Sequence, residues 1–169
     1  MNLTLINILS FQTGWFACVL GAAHDRPLLG PAVVAVLLGL HLYLTADAKG
    51  EMRLLATAGV LGFLLDSLQA LLGVFSFGTG GALSWMSPLW MIALWPNFAT
   101  TLHTSLSWLA GRYALAAVFG AIAGPLSYYA GAQLGALSLH PHLFVSLGTL
   151  SVVWSILTPG LLWLAARAA

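Results

Sequence analysis

The chain is written in long apolar runs separated by short polar breaks. Cut at its charges, prolines and glycine clusters, it yields six apolar segments: Leu3–Ala23, Leu28–Ala46, Met52–Phe75, Pro88–Ala110, Tyr113–Leu137 and Leu143–Ala166. Each is about 20 residues long or slightly more, the length of α-helix that crosses a hydrocarbon layer about 30 Å thick. Inside a segment the apolar residues run on without alternating, which excludes the strands of a membrane β-barrel. The pattern predicts an all-α polytopic membrane bundle of six transmembrane helices, one domain over residues 1–169. The breaks read as turns: His24-Asp25-Arg26-Pro27, Asp47-Ala48-Lys49-Gly50-Glu51, the glycine-rich Ser76–Trp85, Gly111-Arg112 and Ser138-Leu139-His140-Pro141-His142. No linker and no internal repeat is expected.

Composition turns this pattern into a statement about solvent. Hydrophobic residues make up 60% of the chain and charged ones 5%, and mean hydropathy is +0.98. A soluble domain is about one quarter charged, because its surface must be wet. Five Lys/Arg and four Asp/Glu cannot build such a surface, so this one faces membrane lipid. A net charge of +1 supplies no basic patch, and nucleic acid is not expected as a partner. The single cysteine, Cys18, excludes an intramolecular disulfide and any thiolate-built metal cluster. No Lys or Arg precedes the first segment, which is read as a retained helix rather than a cleaved signal.

Cations set the expected orientation. Lys49, Arg53, Arg112 and Arg167 fall on one side of the bundle and Arg26 on the other. Cytoplasmic loops carry the excess of Lys and Arg, so both termini are expected in the cytoplasm. Trp85, Trp90, Trp108 and Trp163 stand near segment ends, where aromatic anchors sit.

Polar residues deep in the segments carry the functional information, because hydrocarbon offers no hydrogen bonds. Counted from the cytoplasmic ends at about 1.5 Å per residue, Gln12 lies at about 15 Å, Asp66 at about 20 Å, Asn97 at about 21 Å and Tyr128 at about 24 Å. This layer is the candidate ligand-binding site. A carboxylate there costs about 3 kcal/mol or more, so Asp66 must face the interior. It is either protonated or accepts hydrogen bonds from Asn97, Gln12 or a Tyr hydroxyl. Gln69 lies one turn further along the same face. The competing reading is a packing lock with no ligand.

His103, in the polar stretch Thr100–Ser105, is a further candidate, with His41 near the same end of the bundle. Buried histidines can bind metal or shuttle protons. No HExxH, no His-x-x-His spacing and no paired carboxylates support a metal, and none is expected; no cofactor motif is present. The plainer reading is a hydrogen-bonded interior residue. Segment five carries Gly120/Gly124 and Gly131/Gly135, two small-xxx-small stripes that let helix backbones approach closely. They serve packing within one chain, or a homo-oligomer or membrane-protein partner. Pro96, Pro125 and Pro159 would kink segments four, five and six.

Several of these stretches occur together in a known family. Phe11-Gln12-Thr13-Gly14-Trp15-Phe16, Leu94-Trp95 with Phe98-Ala99-Thr100-Thr101-Leu102, and Gly124-Pro125-Leu126-Ser127-Tyr128-Tyr129-Ala130-Gly131 with Leu134-Gly135-Ala136 resemble a family of small bacterial inner-membrane proteins catalogued as a domain of unknown function. One departure falls on helix four, where this chain has His103 then Thr104 in place of Asn then His. The resemblance implies genes lying beside relatives of cyclopropane-fatty-acid synthase and flavin-dependent oxidases, hence a place in lipid metabolism. It brings no catalytic residues.

Three functions fit these observations. The chain binds or carries a small lipophilic or lipid-derived molecule in the midplane layer. Alternatively it is a small lipid-modifying enzyme or subunit, with Asp66, His103 and Tyr128 for acid–base work. As a third option it is a structural partner of another membrane protein.

Overall fold

The structure, a computed structural model, describes residues 3–78 and 84–168. Six α-helices account for most of it: α1 (Leu3–Ala23), α2 (Leu29–Leu44), α3 (Ala48–Leu71), α4 (Leu89–Ala99), α5 (Tyr113–Gln133) and α6 (Leu143–Ala168). Two short strands, β1 (Phe75–Phe77) and β2 (Leu137–Leu139), pair antiparallel. Four helices, α1, α3, α5 and α6, are long and apolar enough to cross a membrane; α2 and α4 are shorter. Their outward faces carry apolar side chains such as Val60, Leu64, Val118, Ile122, Val152 and Ile156, all more than half exposed. Such a surface is stable against lipid and not against water. The chain is a multi-pass membrane protein.

Consecutive helices pack as pairs, α1 on α2, α3 on α4 and α5 on α6. Helix α4 also touches α1 and α2, and α6 reaches α3, whereas α1 and α5 touch only sparsely. That thin contact is what leaves room for a site.

The structure differs from the sequence expectation in three places. Helix α3 begins four residues before Met52, because the Asp47 side chain caps it by accepting from the Gly50 N–H at 3.1 Å. Glu51 is thereby drawn from the expected turn into the helix. Helix α4 was expected to run to Ala110 but its regular part stops at Ala99; hydrogen-bonded turns follow, with one 3-10 turn at Ser107–Leu109. Segments three and five stop short of Phe75 and Leu137, which lie in the strands. Of the expected Ser76–Trp85 loop, Thr79 to Leu83 lie outside the described residues.

The strands expose a repeat that the sequence was not expected to contain. Leu72-Gly73-Val74-Phe75-Ser76-Phe77 and Leu134-Gly135-Ala136-Leu137-Ser138-Leu139 have the same plan. In each, glycine takes a left-handed conformation, φ 73° at Gly73 and 89° at Gly135. In each, it closes the helix with paired bonds: Gly73 N to Ala70 O and Val74 N to Gln69 O, then Gly135 N to Ala132 O and Ala136 N to Gly131 O. This is the Schellman arrangement, and glycine takes the left-handed position without steric cost. Ser76 faces Ser138 in the ribbon, with Phe75 opposite Leu139 and Phe77 opposite Leu137, so a local two-fold passes through the serine pair. Carried back along the helices, the same offset equates Gly62 with Gly124 and Asp66 with Tyr128. Both glycines receive a tryptophan, Trp95 at Gly62 and Trp154 at Gly124. Those two indoles stack, 5.2 Å apart and 18° from parallel. Units α3-β1-α4 and α5-β2-α6 thus follow one design, with α1 and α2 outside it.

Candidate functional site

Between α1, α4, α5 and α6 lies a cavity of about 680 Å³. Helix α1 contributes Phe11, Gln12, Trp15 and Phe16; α4 contributes Met91, Trp95 and Phe98; α5 contributes Phe119, Ala123, Ser127 and Tyr128; α6 contributes Trp154 and Thr158. Aromatic rings dominate this wall, and among the described residues no Asp, Glu, Lys, Arg or His borders it. Across the gap between α1 and α5 the Trp15 Nε1–H donates to Ser127 Oγ at 2.9 Å. Beside this bridge Gln12 and Phe16 are exposed, so the cavity opens sideways, toward the hydrocarbon.

The break in α4 shapes the floor. Irregular backbone survives at membrane depth only where it is buried in protein or lines a cavity, and only with its polar groups answered. Here the hydroxyls answer them. Thr100 Oγ1 donates to Asn97 O at 2.7 Å, Thr101 Oγ1 to Phe98 O at 2.6 Å, Thr104 Oγ1 to Thr100 O at 2.7 Å and Ser107 Oγ to Thr104 O at 2.7 Å. Asn7 adds a donor from α1, its Nδ2 reaching Thr100 O at 3.0 Å while its Oδ1 accepts from Ser105 Oγ at 2.7 Å. Thr101, Ser105 and Leu106 of this irregular stretch border the cavity.

Asp66 lies behind the wall, fully buried. Its Oδ2 accepts from Trp95 Nε1 at 2.7 Å and its Oδ1 from the Tyr128 hydroxyl at 2.5 Å. Of the expected partners the Tyr hydroxyl is the one present. Asn97 instead holds α1 against α4, donating from Nδ2 to Phe11 O at 2.9 Å, where Gly14 leaves space for it. It borders a separate space of about 70 Å³ between α1 and α2. Asp66 and Tyr128 hold equivalent positions in the two units, by the same offset that relates the ribbon strands, and they meet directly. Trp154 Nε1 lies near the Tyr128 oxygen but outside hydrogen-bonding geometry and finds no partner.

The candidates therefore separate. Gln12 and Tyr128 border the cavity, and Asp66 supports Tyr128 from behind. Gln69 is buried on α3, its Nε2 reaching only Leu65 O at 3.4 Å and its Oε1 unpartnered. His103 belongs to a different cluster toward the end of the bundle that carries Lys49 and Arg53. Its Nδ1 meets Glu51 Oε1, its Nε2 lies 3.0 Å from Ala165 O, and His41 Nε2 lies 3.2 Å from Glu51 Oε2. Both ring nitrogens of His103 thus face oxygen acceptors. Glu51 was placed in a turn by its charge, and only its position within α3 turns it inward. Among the described residues no group of His, Cys, Asp and Glu could hold a metal ion.

The two glycine stripes also part. A side chain at Gly120 would strike the Trp154 carbonyl and Thr158, and one at Gly124 the Trp154 ring, so this stripe is the α5–α6 contact within the chain. Gly131 has only Leu137 at 3.8 Å, and Gly135 lies beyond the helix in its left-handed turn.

A family model described as "Protein of unknown function (DUF2878)" matches residues 4–160, nearly the whole chain. The chain belongs to this family. The match takes in all the cavity-lining residues, the first unit of the repeat and most of the second. No curated protein and no solved structure matches the chain.

Proposed function

We propose that this member of the family is a non-catalytic binding or carrier module for a small lipophilic or lipid-derived molecule, held in the cavity between α1, α4, α5 and α6. The observation that carries this reading is the cavity itself. It has the volume of a small-molecule site, an aromatic wall without charges, a lateral opening and a floor built from a broken helix. Broken helices at membrane depth commonly mark binding sites in membrane proteins. In this reading all six helices cross a bacterial inner membrane, α2 and the α4 segment included, and both termini are cytoplasmic on the side of Lys49, Arg53, Arg112 and Arg167. The neighbouring-gene association implied by the family resemblance would place the ligand in lipid metabolism.

Co-purification tests this. Protein isolated from membranes in mild detergent is extracted and the extract compared by mass spectrometry with that of an Ala123→Phe variant. Ala123 borders the cavity on α5, and a phenyl ring there projects into it and obstructs an occupant. A lipophilic species should accompany the wild type in stoichiometric amount and be missing from the variant, with thermal stability retained. Equal recovery from both proteins, or none from either, would defeat the reading.

A further inference from the structure

We infer that the cavity takes an uncharged, flat or unsaturated lipophile bearing at least one carbonyl or hydroxyl group, which enters between α1 and α5 and hydrogen-bonds the Gln12 carboxamide. This rests on the cavity being a lipophile site and names the class of its occupant. Gln12 stands in the middle of α1, about 14 Å from the Leu3 end and about 17 Å from the Ala23 end. It is exposed, borders the cavity, and its side chain has no hydrogen-bond partner among the described residues. An amide left bare at that depth in hydrocarbon is costly. The other mid-depth polar groups of the wall are engaged: Ser127 by Trp15, Thr101 by Phe98 O, and the Tyr128 hydroxyl by Asp66. Trp154 Nε1 and Thr158 Oγ1 are unpartnered but sealed within the α5–α6 contact, beyond reach of an occupant.

The chemistry of the occupant follows. A carboxamide both donates and accepts, so it takes a carbonyl or a hydroxyl equally well. No side chain on the wall can neutralise a carboxylate or phosphate, and an unpaired ion buried there is strongly disfavoured. Ring faces from Phe11, Trp15, Trp95 and Phe98 favour a flat partner. The route is set by the helices, since α1 and α5 are joined across the opening by the Trp15–Ser127 bond.

Three probes of one shape separate the possibilities: a decyl-substituted benzoquinone, decylbenzene and 4-decylbenzoate. Each is titrated into the full chain in detergent and followed by native mass spectrometry, with wild type, Gln12→Leu and Ala123→Phe. The wild type should bind the quinone about five- to tenfold more tightly than decylbenzene, the gain of one hydrogen bond, and bind the benzoate weakest. Gln12→Leu should bring the quinone down to the level of decylbenzene and leave decylbenzene unchanged; Gln12 has no internal bond to lose, so the variant folds. A quinone preference that survives Gln12→Leu, no preference in the wild type, or tightest binding of the benzoate overturns the inference while leaving the cavity a lipophile site. Binding of no probe, or binding that Ala123→Phe does not diminish, overturns both.

Discussion

A fully buried carboxyl group must be answered by donors, and Asp66 is answered by Trp95 and Tyr128. Asp66→Leu removes both acceptors and strands two buried donors, each worth about 1–3 kcal/mol. The variant should lose about 3 kcal/mol or more of stability in a detergent unfolding series. Asp66→Asn should lose less than about 1 kcal/mol. Its Oδ1 can still accept from Trp95, and the Tyr128 hydroxyl can turn to accept from the new amide. If the leucine variant unfolds with the wild type, the network does not hold the helices together. The need of Asp66 for a partner was legible in the sequence. That Trp95 is one partner was not, because a tryptophan in an apolar run reads as a hydrophobe and its single N–H declares no direction.

At the scale of the element, glycine spacing predicted close contacts on α5, and packing on α6 selects one stripe of the two. Gly124→Ala should cost about 1–3 kcal/mol, because even a methyl group meets the Trp154 ring. Gly131→Ala should stay within about 0.5 kcal/mol of wild type, since an added carbon there makes ordinary contact with Leu137. Thermal unfolding of the two variants side by side gives the comparison, and equal losses would refute the assignment. The opening between α1 and α5 makes a kinetic prediction as well. Trp15→Phe keeps a ring but deletes the bond to Ser127, so uptake of a benzoquinone probe by detergent-solubilised protein should quicken severalfold in stopped flow. Unchanged uptake would mean that this bond does not limit entry. The early end of α4 was hidden in the sequence, since Thr100–Ala110 holds no proline or glycine to stop a helix. Threonine and serine hydroxyls satisfy the freed carbonyls there, which makes the break tolerable.

For the whole molecule, the decisive relation is the shared plan of the α3-β1-α4 and α5-β2-α6 units, joined at the ribbon. It puts the ribbon and the His142 turn at one end of the bundle and Lys49 at the other. In a Cys18→Ser background, a cysteine replacing His142, which is exposed, should react with a membrane-impermeant maleimide added to intact cells. A cysteine replacing Lys49 should react only after lysis. The reverse pattern would invert the orientation derived from the cations.

Local composition decided what kind of protein this is. Hydropathy adds up along the chain, so six apolar stretches, the lipid-facing surface and the placing of Gln12, Asp66, Asn97 and Tyr128 within those stretches followed from the sequence by counting. Only the tertiary structure decided which of those groups meet. The choice of Tyr128 over Asn97 for Asp66, the turning of Glu51 toward His41 and His103, and the gap between α1 and α5 all depend on how helix faces are rotated against one another. Rotation is fixed by packing between segments, at Gly14, Gly30, Gly62, Gly120 and Gly124 among others. The repeat was hidden for the same reason: its few shared residues are the ones that contact and turning demand, and their partnership becomes visible only across the Ser76–Ser138 pair.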